Sequence, residues 1–277
     1  MGDLDFTNLI KNQHKIEFDS EKHFIKDNII HCKVCGEPLE IVRGATKIPL
    51  VCSCYEKQEK ARKMRENEQK RKDYIKYLRS ISMVGKRFEN ANFNDIDKNH
   101  NKSYLQACSR CENYCNKSNE MLENGFGIYI YGSCGGGKTY LTACMANKLI
   151  EKAHSVLFTN FMEISRMIRN TYDTSNDENE SEVIERIKNV DFLFIDDFGT
   201  EKVSKGGEEN WLQEKIYDII NSRYIDLKPV IFSSNYSIDQ LAERGFMEKT
   251  IDRVSEMSTA IMKIQEKNFR KKGKELF

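Results

Sequence analysis

Within the stretch YIYGSCGGGKTYL, Gly132, Gly137, Lys138 and Thr139 stand at the spacing G-x-x-x-x-G-K-[ST]. Residues of these types at this spacing bind phosphate. Gly135, Gly136 and Gly137 permit the backbone conformations that turn successive N–H groups onto anionic oxygens at a helix N-terminus. Lys138 would then bridge the β- and γ-phosphates of a nucleoside triphosphate. The Thr139 hydroxyl would ligate Mg2+, which neutralises the charge that builds up during phosphoryl transfer. Ser133, Cys134 and Tyr140 complete the nucleotide-contacting stretch, Cys134 in a variable slot with no role of its own. Context gives the motif its force: an apolar strand pattern precedes it and the helical pattern LTACMANKLIEKA follows.

A metal bound there needs a carboxylate from the same edge of a sheet. In VDFLFIDDFGTEK an apolar run ends in Asp196 and Asp197. Asp196 is placed to hold Mg2+ through water, and Asp197 to orient the attacking water. Aspartate is one methylene shorter than the glutamate often found at the second position, which predicts slow hydrolysis, a switch more than a motor. PVIFSSNYS adds a third apolar run with a polar end, where Asn235 would hold the nucleophilic water against the γ-phosphate.

Charge removal from a γ-phosphate usually requires an arginine. EKTIDRVSEM sets Lys249 and Arg253 one helical turn apart, too far along the chain to belong to the phosphate loop. Arg253 reads as a finger for a neighbour's nucleotide, against the plainer alternative of a surface ion pair with Asp252 or Glu256. Arg270, in KNFRKKG, reads as a sensor of the same subunit's γ-phosphate or as part of a basic tail.

Cys32 and Cys35 are separated by two residues, and sixteen residues later come Cys52 and Cys54. Four thiolates can close a tetrahedral site around Zn2+, and so few apolar residues lie between them that the metal would supply much of the folding energy. Reduced structural cysteines are the alternative. His31 is a substitute ligand or simply an exposed side chain. Cys108, Cys111 and Cys115 lie with Tyr104 on one helical stripe and read as core, because a buried cysteine behaves as a small hydrophobe. Trp211, Leu212, Ile216, Ile219 and Ile220 form a second such stripe, and Cys144 falls on the buried helix after the phosphate loop.

The elements that must position these groups are legible in the texture of the chain. A run of 277 residues at 39% hydrophobic can bury one large core or two modest ones. Lys+Arg 44 against Asp+Glu 43 confines any nucleic-acid surface to a local patch. No apolar run approaches the ~20 residues of a membrane span, and the first residues lack the apolar core of a signal peptide, so a cytoplasmic protein without membrane contact is expected. Nine cysteines in a reducing compartment point to metal ligands or small hydrophobes, not disulfides. The expected division is a cysteine-bearing domain over 1–54, a charged helix and linker over 55–85, and an α/β domain over 86–277. The helix, over 55–79, suggests Glu56–Lys60, Glu59–Lys63 and Glu66–Lys70 pairs; it is a spacer, a contact surface or merely a solvated face. Beyond it, strands over 127–131, 155–158, 191–195, 229–233 and 260–264 alternate with helices, the signature of a parallel five-stranded sheet covered on both faces. The polar segment YDTSNDENESE, 172–182, reads as a surface loop.

Taken together, YGSCGGGKTYL, FLFIDDFGTEK, WLQEKIYDIINSRY, PVIFSSNYS and TIDRVSEM resemble the AAA+ ATPase module of the DnaC/DnaI-like helicase loaders, over roughly residues 82–270. The resemblance implies a P-loop ATPase that binds a DnaB-type hexameric replicative helicase through its N-terminal domain. It further implies loading of that helicase onto single-stranded DNA and self-assembly through ATP interfaces. By carry-over, Gly132 to Thr139 bind phosphate, Asp196 binds magnesium, Asp197 and Asn235 assist hydrolysis, Arg253 acts in trans and Arg270 senses the γ-phosphate. Arg223, in NSRY, is a second trans-acting candidate or a partner of a nearby carboxylate. The sequence ends soon after Arg270, which implies a reduced or absent helical lid. Cys32, Cys35, Cys52 and Cys54 resemble the small zinc ribbon carried by loaders of the DnaI type.

VGKRFENANFNDID resembles the family's lead-in, with Phe88 and Phe93 as packing or adenine-pocket residues. For a single strand of DNA the nearest contacts are Phe161, Arg166 and Arg169, though Phe161 equally suits a core. Two rival readings share the ATP-site motifs: a transposase-helper ATPase of the IstB type, and an adaptor that binds ATP and scarcely hydrolyses it.

Overall fold

The computed structural model describes residues 18–44, 46–172, 179–200 and 208–265. The chain divides into two compact units, 1–72 and 73–277.

In the first unit, β1 (His23–Lys26) and β2 (Ile29–Cys32) form an antiparallel hairpin. Its turn residues, Asp27 (φ 53°) and Asn28 (φ 62°), take the left-handed conformation that a two-residue hairpin demands. A second hairpin joins β3 (Glu40–Arg43) to β4 (Thr46–Pro49). Among the described residues the buried apolar set of this unit is Cys32, Leu39 and Cys52, too few to hold a fold by hydrophobic burial alone. The charged segment forms one long helix, α1 (Ser53–Ile81). Its ion pairs are Arg62 with Glu59 (2.9 Å) and Glu66 (3.0 Å) and Lys72 with Glu68 (2.8 Å). None of the three Glu-before-Lys pairs suggested by spacing forms; in two of them the forked guanidinium of Arg62 takes the carboxylate, Glu59 on one side and Glu66 on the other.

The second unit is a parallel sheet with helices on both faces. After α2 (Lys102–Asn116) and α3 (Ser118–Glu123) come β5 (Gly127–Gly132), α4 (Lys138–Glu151), β6 (Val156–Asn160) and α5 (Phe161–Asn170). They are followed by α6 (Glu180–Asn189), β7 (Phe192–Phe198), α7 (Glu208–Ile225), β8 (Val230–Ser234), α8 (Glu248–Met257) and β9 (Ser258–Ile264). The sheet order is β6-β7-β8-β5-β9, all neighbours parallel. All five expected strands are present. The polar segment is partly corrected: Asn179 caps α6 in a reciprocal capping box with Glu182, so residues 180–182 are its first turn, and 173–178 lie outside the described residues.

Period-two alternation splits the core. Ile128 and Ile130 of β5 and Phe192 and Phe194 of β7 face the cluster with α2 and α4. Tyr129, Leu193, Ile195 and Phe232 face the other cluster, with α5 to α8. Tyr104, Cys108, Cys111 and Cys115 are buried along α2, and Cys144 is fully buried on α4, as the stripe predicts. Trp211 is half-buried against the second cluster. Among the described residues no helix is long and apolar enough to cross a membrane.

The topology places the site. The chain leaves β5 for the far side of the sheet and returns through β7 and β8, so the carboxyl ends of β5, β7 and β8 border one crevice.

Candidate active site

Gly132 (φ 151°), Gly135 (φ 80°) and Gly137 (φ 84°) have the positive φ values that the sequence assigns to glycine. A Cβ on Gly132 would run into the Ile264 carbonyl oxygen of β9, so the loop begins where only glycine fits. The α4 helix starts at Lys138 immediately after Gly137, which aims its first N–H groups into the loop. The Lys138 ammonium is almost wholly buried and donates to the Gly132 and Ser133 carbonyls (both 3.0 Å) and to Asn235 Oδ1 (2.8 Å). Phosphate loop and polar strand end therefore share one cation.

Thr139 Oγ1 donates to Asp196 Oδ2 at 3.0 Å. The Ser233 hydroxyl also donates to Asp196 and accepts from the Asp197 amide at 3.2 Å. Burial raises the Asp196 pKa and the Asp197 charge adds to this, against the pull of the Ser233 and Thr139 hydroxyls. A hydroxyl and a half-buried carboxylate in contact, with no basic side chain bonded to that carboxylate among the described residues, fit the donor set of Mg2+. The exposed Asp197 follows at φ 51°, a left-handed turn that swings its carboxylate off the strand.

A cavity of about 620 Å3 is lined by Gly135, Lys138, Thr139, Asp197 and Asn235 together with Phe88, Ile96 and Tyr104. Cys134 and Tyr140 also line it. The volume suits a nucleoside triphosphate. Phe88 is at the cavity wall, whereas Phe93 packs on the core beneath Lys148, whose ammonium is 5.5 Å from its ring centroid. Ser233 was not assigned a role by sequence reasoning; the only signal was a hydroxyl two residues before the polar strand end.

Other sequence candidates are elsewhere. Arg253 does not line this cavity; it donates to Asn221 Oδ1 (2.9 Å), pairs with Glu256 (2.5 Å) and lies over the Tyr224 ring (4.5 Å). Lys249 lies over Tyr217 at 4.2 Å on the same surface. Arg223 cannot act in trans, because it is fully buried and donates to the Ile187, Lys188, Val190, Asp191 and Pro229 carbonyls. Nor does it pair with a carboxylate; the acceptors are all backbone. Phe161 is core, against Phe246, while Arg166 is exposed and paired with Glu163. Arg270 lies outside the described residues.

In the first unit, the sulfurs of Cys32, Cys35, Cys52 and Cys54 all lie within 4.8 Å of one another. Cys32 ends β2, Gly36 closes the Cys35 turn at φ 72°, and Cys52 and Cys54 flank the first residue of α1. Backbone N–H groups of Cys35 and Val34 lower the Cys32 pKa to about 6, favouring the thiolate. The set is compatible with tetrahedral Zn2+. His31 stands apart from it, half-buried against Phe24 and bonded to the Gly36 carbonyl.

The partly desolvated Asp196 charge carries a testable cost. A carboxyl whose pKa is raised in the fold destabilises it above that pKa and not below the unfolded value. Asp196→Asn should therefore raise the apo Tm by a few degrees at pH 7, with the gain vanishing as pH falls toward 4. Calorimetry of both proteins across this range checks it; a lower Tm for the variant at pH 7 would refute it.

Comparison with known proteins agrees with this geometry. The replicative helicase loader DnaI of Bacillus subtilis is 31% identical over 126 residues, 45% of this chain and 38% of that protein. The replicative helicase loader DnaC of Escherichia coli K12 is 25% identical over 157 residues, 55% of this chain and 61% of that protein. The chain thus spans less than two thirds of either relative. A crystal structure of the DnaC helicase loader superposes with a TM-score of 0.55 at 26% identity, covering 65% of this chain and 100% of that one. The resemblance carried by the five motifs is thereby borne out. A family model for the IstB-like ATP binding proteins matches residues 57–276, and the chain belongs to that family.

Proposed function

We propose that this protein is an Mg-ATP-dependent loader that places a DnaB-type replicative helicase on single-stranded DNA. The observation that carries the reading is the joining of Lys138, Thr139, Asp196 and Asn235 in one hydrogen-bonded site on a chain that also bears a four-cysteine unit. A triphosphate in the cavity meets the Lys138 ammonium and the loop amides; Asp197 and Asn235 orient the water that attacks it. Bound at Thr139 and Asp196, Mg2+ would neutralise phosphate charge. Arg253 belongs to a neighbouring subunit's site. Zn2+ on the four cysteines stabilises the small unit, which supplies the helicase contact. The division into 1–54, 55–85 and 86–277 follows these roles.

The family description favours one rival, a transposition helper of the IstB type. Capture of a purified DnaB-type helicase by the full chain, with and without a zinc chelator, separates them. The loader reading expects zinc-dependent capture together with ATP turnover stimulated by single-stranded DNA. Metal-loaded, folded protein that turns over ATP and captures no helicase would favour the rival. Chelation should also melt the thin-cored unit and leave the far-ultraviolet signal and Tm of the larger one intact.

A further inference from the structure

One half-buried arginine near the site binds no carboxylate among the described residues. Arg244 follows the short helical turn Ile238–Leu241 and does not line the cavity. Its Nε donates to the Gly199 carbonyl at 3.1 Å and its Nη2 to the Thr200 carbonyl at 2.6 Å. The guanidinium also covers the Tyr236 ring, 4.7 Å from its centroid. One cation thus grips the chain just after the acidic strand end and the residue just after Asn235.

Other ties anchor the ends of the gripped segments: the Asp197 amide donates to Ser233 Oγ (3.2 Å) and Tyr129 Oη donates to the Tyr236 carbonyl (2.9 Å). Asp197 (φ 51°) sits in the register shift of β7, which rejoins β8 at Phe198 opposite Ser234, and Gly199 (φ 82°) turns the chain off the ladder, so Gly199 and Thr200 lie beyond the last strand pair. A Cβ on Gly199 would come within 2.6 Å of Leu241 Cδ2, which brings this turn against the helical turn that bears Arg244. Ser234 Oγ donates to the Phe198 carbonyl (2.6 Å) and accepts from the Tyr236 amide (3.0 Å), a second tie between the same segments. Thr200 and Asp197, on the tied turn, line the same cavity as Asn235.

We propose that Arg244 is a positioning residue for hydrolysis. Its fork holds the turn that carries Asp197 and Thr200 in fixed register with Asn235, so that the two groups assigned to the attacking water keep their mutual placement. The two carbonyls are met by two different nitrogens of one rigid plane, Nε and Nη2, a fork that the single nitrogen of a lysine on a flexible stem does not reproduce. Small misplacements of reacting groups cost rate steeply, while phosphate binding depends on the loop and Lys138, which Arg244 does not touch.

This inference rests on the hydrolytic reading above, and the test separates their failures. Steady-state turnover and ATP Kd are measured for full-length wild type, Arg244→Ala and Arg244→Lys, with Tm as a folding check. Expected is a fall in kcat of about tenfold or more for Arg244→Ala, with Kd within about twofold and only partial rescue by lysine. A wild type that binds ATP without turning it over would overturn the hydrolytic reading and this inference with it. Turnover in wild type that is unchanged in Arg244→Ala would overturn this inference alone. So would full rescue by lysine, or a loss of kcat accompanied by an equal loss of ATP affinity, because either removes the need for a fork that sets geometry.

Discussion

Replacing Arg223 by methionine should lower the stability of the larger unit by about 3–5 kcal/mol, the cost of removing one partner from a buried charged network. Arg223 is fully buried and satisfies five carbonyls: two at the end of α6, two on the approach to β7 and one just before β8. Methionine fills similar volume and removes the desolvation penalty, which already lowers the arginine pKa to about 9. It also takes this donor from those carbonyls, of which Pro229 keeps the Leu193 amide (3.3 Å), at about 1–3 kcal/mol for each left unpaired that water cannot reach. The second effect wins because several acceptors are stranded at once and only one cation is relieved. In a unit of this size the loss should appear as a Tm lower by roughly 6–20 °C. Thermal unfolding followed by circular dichroism tests it; a shift under about 2 °C would mean that the carbonyls find water, and the tie would be worth little.

The largest functional effect is expected at Lys138. Its ammonium is nearly buried and already surrounded by Gly132 O, Ser133 O and Asn235 Oδ1, so its position is fixed before any nucleotide arrives. A positioned charge at developing phosphate charge is worth about 10²–10³ in rate, or roughly 3–4 kcal/mol. Lys138→Ala should therefore reduce ATP turnover at least about a hundredfold and free Asn235 of its cation. Phosphate release at saturating Mg-ATP measures this. Retention of more than a third of wild-type kcat would show that the loop amides suffice, and would remove Lys138 from the chemistry.

What the sequence made legible was whatever depends on neighbours in the chain. Phe192 to Ile195 announce a buried strand by four apolar residues in a row, and the acids that follow must then stand at its carboxyl end. Gly132, Gly135 and Gly137 announce themselves because no other residue takes their backbone shape at low cost. The Tyr104, Cys108, Cys111 and Cys115 stripe shows itself through helical period alone. Arg223 was illegible for the opposite reason. On a helix its charge suggests an exposed face, and its acceptors come from residues 187–191 and 229, brought in only by the sheet. Ser233 and Arg244 likewise act through partners distant in sequence, across to β7 and the turn after it. Arg62 shows the limit even within one helix, since i,i+3 and i,i+4 partners compete and side-chain shape chooses among them.

The Arg223 tie sits where strands β7 and β8 begin, and the phosphate loop, the acids and Asn235 sit where strands end. Mechanical integrity and chemistry are thus assigned to opposite rims of one sheet. Sequence change at the chemical rim can proceed without loosening the rim that holds the strands in order. A directed-evolution library confined to exposed positions after β7 and β8, such as Asp197, Thr200, Asp239 and Glu243, should accordingly keep a high fraction of folded members, whereas the same diversity placed at residues 187–191 and 229 should mostly yield insoluble protein. The molecule is, in this sense, built to be retuned at one end only.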